Sequence, residues 1–165
     1  MNNLAVISNK ILDKQSLSLK LSDWKKTKST IVFTNGVFDL LHLGHIDYLS
    51  KAKDNGDVLV IGVNSDKSAK RLEKGTNRPI TDEKSRSMII AALEFVNAVV
   101  LFDEDTPLAL IKIIQPDVLV KGSDYKAEDI VGYDVVMAKG GVIKTIEFLP
   151  GYSTTLIENR IKGIN

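Results

Sequence analysis

From Ile31 onward, short unbroken apolar runs alternate with stretches in which apolar residues return every three or four positions. The runs Ile31 to Thr34, Val58 to Val63, Ala98 to Phe102, Asp117 to Val120 and Val142 to Phe148 read as five strands. Continuous β-branched runs suit a sheet covered on both faces. The helical period appears at Ile46, Leu49 and Ala52 (about 45–54) and over 66–72, then at Met88, Ile89, Ala92, Leu93 and Val96. It returns from Thr106-Pro107 to Ile114, near 130–138, and over 154–162. Punctuation agrees: Asn55-Gly56 ends one helix, Asn64-Ser65-Asp66 and Thr81-Asp82-Glu83 cap two more, and Pro107 sits at a first helical position. Gln115-Pro116 and Gly140-Gly141 are breaks, and Gly75-Thr76-Asn77 marks a surface loop. Strands alternating with helices through short connections predict βαβ units and a parallel sheet, an α/β fold with helices on both faces.

Residues 1–30 are polar and rich in Lys and Ser, and Ile11, Leu12, Leu17, Leu19, Leu21 and Trp24 make only a weak helical pattern. This predicts a partly helical N-terminal arm over 1–27 beside one domain over 28–165. Trp24 reads as packing, with self-association as the alternative.

Composition narrows the classes. At 165 residues and 44% apolar, the chain matches one globular domain with a sizeable core. Lys plus Arg number 22 against 21 acidic residues, a net charge of +1, which predicts no general affinity for nucleic acid or an anionic membrane. Any phosphate chemistry must use local charge. Cysteine is absent, so there is neither a disulfide framework nor a thiol nucleophile. With no secretory h-region and no apolar run near 18 residues, the expectation is a soluble cytoplasmic protein.

In open parallel sheets, ligands sit beyond the carboxyl ends of the strands. The polar clusters fall there: Thr34-Asn35-Gly36 after the first strand, Asn64-Ser65-Asp66 after the second, Lys121-Gly122-Ser123-Asp124 after the fourth. The chain's two histidines, His42 and His45, straddle Gly44 where a helix begins. Spacing of three places both rings on one side of a helical turn, beside backbone N–H groups that lack intrahelical partners. Gly44 removes a side chain that would obstruct a ligand. Taken singly, each histidine is equally explained as a cap or packing residue. Zinc lacks a third nitrogen or sulfur ligand. Lys70, Arg71, Lys74 and Arg78 form a dense basic cluster near this rim, readable as countercharge or as a solvated face.

Thr34-Asn35-Gly36-Val37-Phe38-Asp39 followed by His42-Leu43-Gly44-His45 resembles the HxGH motif of the cytidylyltransferase-like nucleotidyltransferases. Val63-Asn64-Ser65-Asp66, Arg78-Pro79-Ile80, Val120 to Tyr125 and Gly151 to Thr155, in that order, are similar to the adenylyltransferase domain of the ADP-heptose synthases. The resemblance covers about residues 28–162. It implies a single-domain Rossmann-like sheet and transfer of AMP from ATP to a sugar 1-phosphate, D-glycero-β-D-manno-heptose 1-phosphate. It also implies Mg2+ arriving with ATP, no dedicated metal site, and a homodimer.

By the same resemblance His42 and His45 are catalytic, and Thr34, Asn35, Gly36, Val37, Phe38, Gly44, Lys121, Gly122, Asp124, Ser153, Thr154 and Thr155 bind nucleotide. Asp39, Asn64, Asp66, Arg71, Arg78 and Arg86 are its substrate-binding candidates. Each has a structural alternative: Asp39 an N-cap or loop salt bridge, Asp66 a cap, Arg86 a salt bridge with Glu83 or Glu94, Ser153 to Thr155 plain capping. Two departures from the family pattern are Val37, commonly Cys there, and Ser123, which replaces a glycine. Two other functions stay open. One is a CTP-dependent cytidylyltransferase for glycerol 3-phosphate or a phosphorylated amino alcohol, which Phe148-Leu149-Pro150-Gly151-Tyr152 disfavours because those relatives carry an Arg-Thr pair ahead of Gly-Ile-Ser-Thr-Thr. The other is a non-catalytic nucleotide sensor.

Overall fold

The computed structural model describes residues 2–72, 78–123 and 126–163. Five parallel strands, β1 (Ile31–Gly36), β2 (Val58–Asn64), β3 (Ala98–Phe102), β4 (Val118–Gly122) and β5 (Val142–Ile146), form one sheet in the order β3-β2-β1-β4-β5. Among the described residues eight α-helices accompany them: α1 (Asn3–Ser8), α2 (Lys14–Lys26), α3 (Leu43–Lys53), α4 (Asp66–Arg71), α5 (Glu83–Ala91), α6 (Leu108–Ile114), α7 (Tyr133–Ala138) and α8 (Thr154–Ile161). The predicted α/β architecture is the one observed.

Alternate strand residues face two cores. Ile31, Phe33, Val58, Val60 and Leu119 pack with Leu17 and Leu21 of α2, Leu110, Ile111 and Ile114 of α6, and Val136 of α7. Val32, Leu59, Ile61 and Val120 pack on the other face with Tyr48, Leu49 and Ala52 of α3 and Ile90 and Ala91 of α5. This is why β1 to β4 read as unbroken apolar runs, helices lying above and below them, whereas the edge strand β5 is mostly exposed. The N-terminal segment joins the same body, since Leu17 and Leu21 are buried and Ile11 bridges in parallel to Val99, lining the β3 edge. Trp24 is half-buried against the first of these cores.

Element ends differ from the sequence pattern for local reasons. Helix α3 begins two residues early, because His42 has an extended backbone (φ −136°, ψ 171°) and its carbonyl accepts from His45 and Ile46 N–H. Gly44 therefore lies inside the first turn of α3. Leu93 and Val96 lie beyond α5, in tight turns bonded Leu93 N–H to Ile90 and Val96 N–H to Leu93, which preserve the three-residue spacing. Pro107 is the N-cap of α6 rather than its first residue. The helix expected near 130 starts at Tyr133, behind a 3-10 turn over Ala127–Asp129 and Gly132 at φ 93°, where a Cβ would stand 2.6 Å from Ile111. Strand β5 stops at Ile146, freeing Phe148 from the sheet. Among the described residues no helix is long and apolar enough to cross a membrane.

The order 3-2-1-4-5 reverses direction between β1 and β4, so their carboxyl ends diverge and leave a crevice.

Candidate active site

The crevice is a cavity of about 660 Å³, reached by loops from both halves of the sheet. That size suits a nucleotide-sized ligand. Asn35 and Gly36 enter from β1, His42, Gly44 and His45 from the start of α3, Asn64 from β2. Lys121 and Gly122 enter from β4, Arg78 from the loop before α5, and Ser153, Thr154 and Thr155 from the start of α8. Val37, Phe38 and Asp39 complete that wall.

The two imidazoles lie stacked, ring centroids 3.8 Å apart and planes 18° from parallel. Phe38 stands edge-on to His45 at 5.6 Å. His42 occupies the N-cap position yet makes no side-chain bond to the first turn, so the helix end keeps its N–H groups for another acceptor. Its Nδ1 is buried without a hydrogen-bond partner. Burial pushes the His42 pKa below the ordinary imidazole value, favouring the neutral ring in the free protein. Gly44 is required by packing as well as by access: a Cβ there would stand 3.0 Å from Tyr152 Cβ and 3.1 Å from His42 Nδ1.

The loop between β1 and α3 holds two non-glycine residues in left-handed backbone, Phe38 (φ 53°) and Leu40 (φ 48°). Such conformations persist only where surroundings fix them. Here Asp39 accepts from Ile80 N–H (2.7 Å), Thr81 N–H (3.0 Å) and the Thr81 hydroxyl (2.7 Å). Its backbone carbonyl accepts from Thr154 Oγ1 at 2.8 Å. Burial raises the Asp39 carboxyl, but these donors and the nearby Arg86 outweigh it and hold the group ionised below its ordinary range. Asp39 therefore ties three site loops together, a role close to its structural alternative.

Four sequence candidates are not brought to the cavity. Thr34 is buried beneath it, sharing a 2.8 Å hydrogen bond with the Tyr48 hydroxyl. Arg86 is sealed inside and donates to Val37 O (2.6 Å), Thr81 O (3.0 Å) and Asp66 Oδ1 (2.8 Å). That pairing occupies Asp66, which also takes its place at the start of α4 through an N–H bond to Glu83. The partner of Arg86 is thus neither Glu83 nor Glu94. Arg71 projects to solvent and gives its guanidinium to Asp105 and to the Asp103 carbonyl, so its charge is already compensated. Asp124 and Lys74 lie outside the described residues.

Other candidates meet. Lys121 Nζ bonds Asn35 Oδ1 across the diverging strands. Asn64, buried at the end of β2, donates to Ser68 Oγ at 2.9 Å. Arg78 donates to both carboxylate oxygens of Glu158 and to Thr155. The Ser153 hydroxyl caps α8 by accepting from Leu156 N–H at 3.1 Å. Sequence reasoning missed Tyr48, Phe148, Tyr152 and Glu158. Tyr48 was within reach, being one turn after His45 on the same helix face; Phe148, 54% exposed, borders the cavity only because β5 ends early. Arg78, Lys121 and the starts of α3 and α8 thus line one cavity, beside the carboxylates of Asp39, Asp105 and Asp129, and supply donors suited to an anion such as a phosphate chain.

Comparison with known proteins agrees with the geometry. The chain is 51% identical over 153 residues to the "Bifunctional protein HldE" of a Nitratiruptor species, spanning 93% of this chain and 32% of that protein. It is 57% identical over 131 residues to the "Bifunctional protein HldE" of Geobacter metallireducens, spanning 79% and 26%. The chain therefore spans about a third or less of the length of these relatives. Among solved structures, the lipopolysaccharide core biosynthesis protein from Thermoplasma volcanium aligns with a TM-score of 0.59 and 31% identity over 73% of this chain and 97% of that one. Pantoate-beta-alanine ligase from Francisella tularensis shares the fold, with a TM-score of 0.60 and 17% identity over 92% and 76%. The model of the "Cytidylyltransferase-like" family matches residues 33–160, which include both histidines and every cavity loop described above, and the chain belongs to that family.

Proposed function

We propose that this chain is a nucleotidyltransferase that moves AMP from ATP to D-glycero-β-D-manno-heptose 1-phosphate, giving ADP-heptose and pyrophosphate. The observation that carries this reading is the stacked His42–His45 pair at an uncapped helix end inside the cavity at the sheet's switch point. The choice of ATP and of the heptose rests on the ordered motifs shared with the adenylyltransferase domain of ADP-heptose synthases.

In this reading a phosphate oxygen of the sugar phosphate attacks the α-phosphorus in line, its bond to phosphorus forms as the bond to the bridging oxygen breaks, and pyrophosphate leaves with that electron pair. No protein nucleophile and no proton transfer is needed, so catalysis is positioning plus charge stabilisation. His42 and His45 donate hydrogen bonds to the oxygens that gain charge, reinforced by the α3 N-terminus. Asn35, Gly36, Lys121 and Gly122 hold the nucleotide, Ser153 to Thr155 the outer phosphates, and Asn64 and Arg78 the sugar phosphate.

Among the described residues no three His, Cys, Asp or Glu side chains gather to hold a metal. Of the nearby carboxylates Asp39 is already bonded to Ile80 and Thr81. In this reading Mg2+ arrives on the nucleotide's own phosphates, which need no dedicated protein cage. Bound there, the ion would supply countercharge for the departing pyrophosphate.

Pyrophosphate release should occur with ATP plus the heptose 1-phosphate and stop in excess chelator. Release with CTP and glycerol 3-phosphate instead would transfer the chain to the cytidylyltransferase reading. Tight nucleotide binding with no release from any pair would make it a sensor.

A further inference from the structure

Helix α8 is attached to the body without a buried side chain, although it borders the cavity. Its attachments are polar. Thr154 Oγ1 donates to Asp39 O at 2.8 Å. Arg78 gives Nε and Nη2 to the two Glu158 oxygens at 2.9 and 2.8 Å, and Nη2 also to Thr155 Oγ1 at 3.0 Å. Both charged side chains of the pair are only 17% exposed. Arg78 and Thr155 line the cavity, whereas Glu158 stands behind them.

A carboxylate on the Nε–Nη2 edge of a guanidinium occupies the two-pronged geometry that phosphate oxygens use. We propose that Glu158 is a positioning residue acting through Arg78, an internal stand-in for phosphate that a ligand's phosphate group must displace before Arg78 can clamp it. The idea deepens the nucleotidyl-transfer reading and rests on it for the identity of the ligand. Displacement is open to a phosphate dianion because it offers more charge and more acceptor oxygens than a carboxylate. Helix α8 has no fully buried side chain, so little apolar burial is at stake when Glu158 lets go and returns its carboxylate to water. A neutral or weakly charged ligand does not compensate for two charge-assisted bonds, so the pair selects for a full phosphate group. As a tethered competitor, Glu158 lowers apparent affinity by the fraction of molecules in which the pair is closed.

The test is Glu158→Gln, which keeps the shape and removes the charge, with Glu158→Ala as a second variant, both probed by calorimetric titration of inorganic phosphate. Phosphate affinity should rise roughly tenfold, about 1.4 kcal/mol. KM for the heptose 1-phosphate should fall by a similar factor with kcat little changed. On an Arg78→Ala background the same substitutions should leave phosphate affinity unmoved. Unchanged or weakened phosphate binding in both variants, or a raised KM, overturns the proposal. Absence of turnover in the wild type would count against the assigned reaction alone, because the phosphate titration needs no catalysis.

Discussion

Replacing His45 by alanine is expected to lower kcat for pyrophosphate release by about 10²–10³-fold, the ~2.7–4 kcal/mol that one preorganised donor to a developing oxyanion supplies. KM should move far less, since the donor acts on charge that appears in the transition state. His45 is half-buried on the cavity wall rather than in either core, so the variant should unfold at nearly the wild-type temperature. The two rings stack at 3.8 Å, which makes them one unit. Accordingly, the His42→Ala/His45→Ala double variant should lose much less than the product of the single losses. Turnover near wild type in a folded His45→Ala protein would remove the histidines from the mechanism.

The second large effect is on stability. Arg86→Ala should cost about 3 kcal/mol in urea unfolding, the low end of the range for breaking a buried ion pair, because Asp66 keeps 33% of its side chain in water. Its guanidinium is fully enclosed and satisfies Val37 O, Thr81 O and Asp66 together, so truncation leaves three acceptors unpaired around a side-chain-sized hole. Lysine should not rescue it, because one ammonium does not span three acceptors in a fixed fork. Activity should fall as well, through the loop over Val37 to Leu41 whose left-handed residues Arg86 and Asp39 hold in place. A cost under about 1 kcal/mol would mean that the loop is fixed by other contacts.

Burial and period explain what the sequence made legible. Strands β1 to β4 were readable because covering both faces of the sheet makes each a short β-branched apolar run, too short for a buried helix and bounded by turn residues. The histidine pair was readable because a spacing of three is a local geometric fact at a helix start. Other features depend on partners distant in the chain. Arg86 and Val37 are 49 residues apart, and Arg78 and Glu158 are 80 apart, so no window of sequence shows that one arginine is walled in and the other stands at the cavity. Arg71 and Arg78 look alike in sequence and each pairs with a distant carboxylate, Asp105 or Glu158; what separates them is that Arg78 lines the cavity. The N-terminal segment has only a weak helical pattern, yet Leu17 and Leu21, one turn apart, dock α2 on the sheet with Leu12 and Trp24 packed beside them.

The measurement that addresses the central claim most directly is the pH titration of the two imidazoles by NMR, with and without saturating ATP and magnesium. With two histidines in the chain, each ring can be followed by itself. Burial holds His42 below the ordinary imidazole range in the free protein, and a phosphate chain laid against the pair favours the protonated ring. The expected result is a shift of His42 titration to higher pH when nucleotide is bound. Two titration curves unmoved by ATP, in a sample where ATP is bound, would place the phosphates elsewhere and contradict the account.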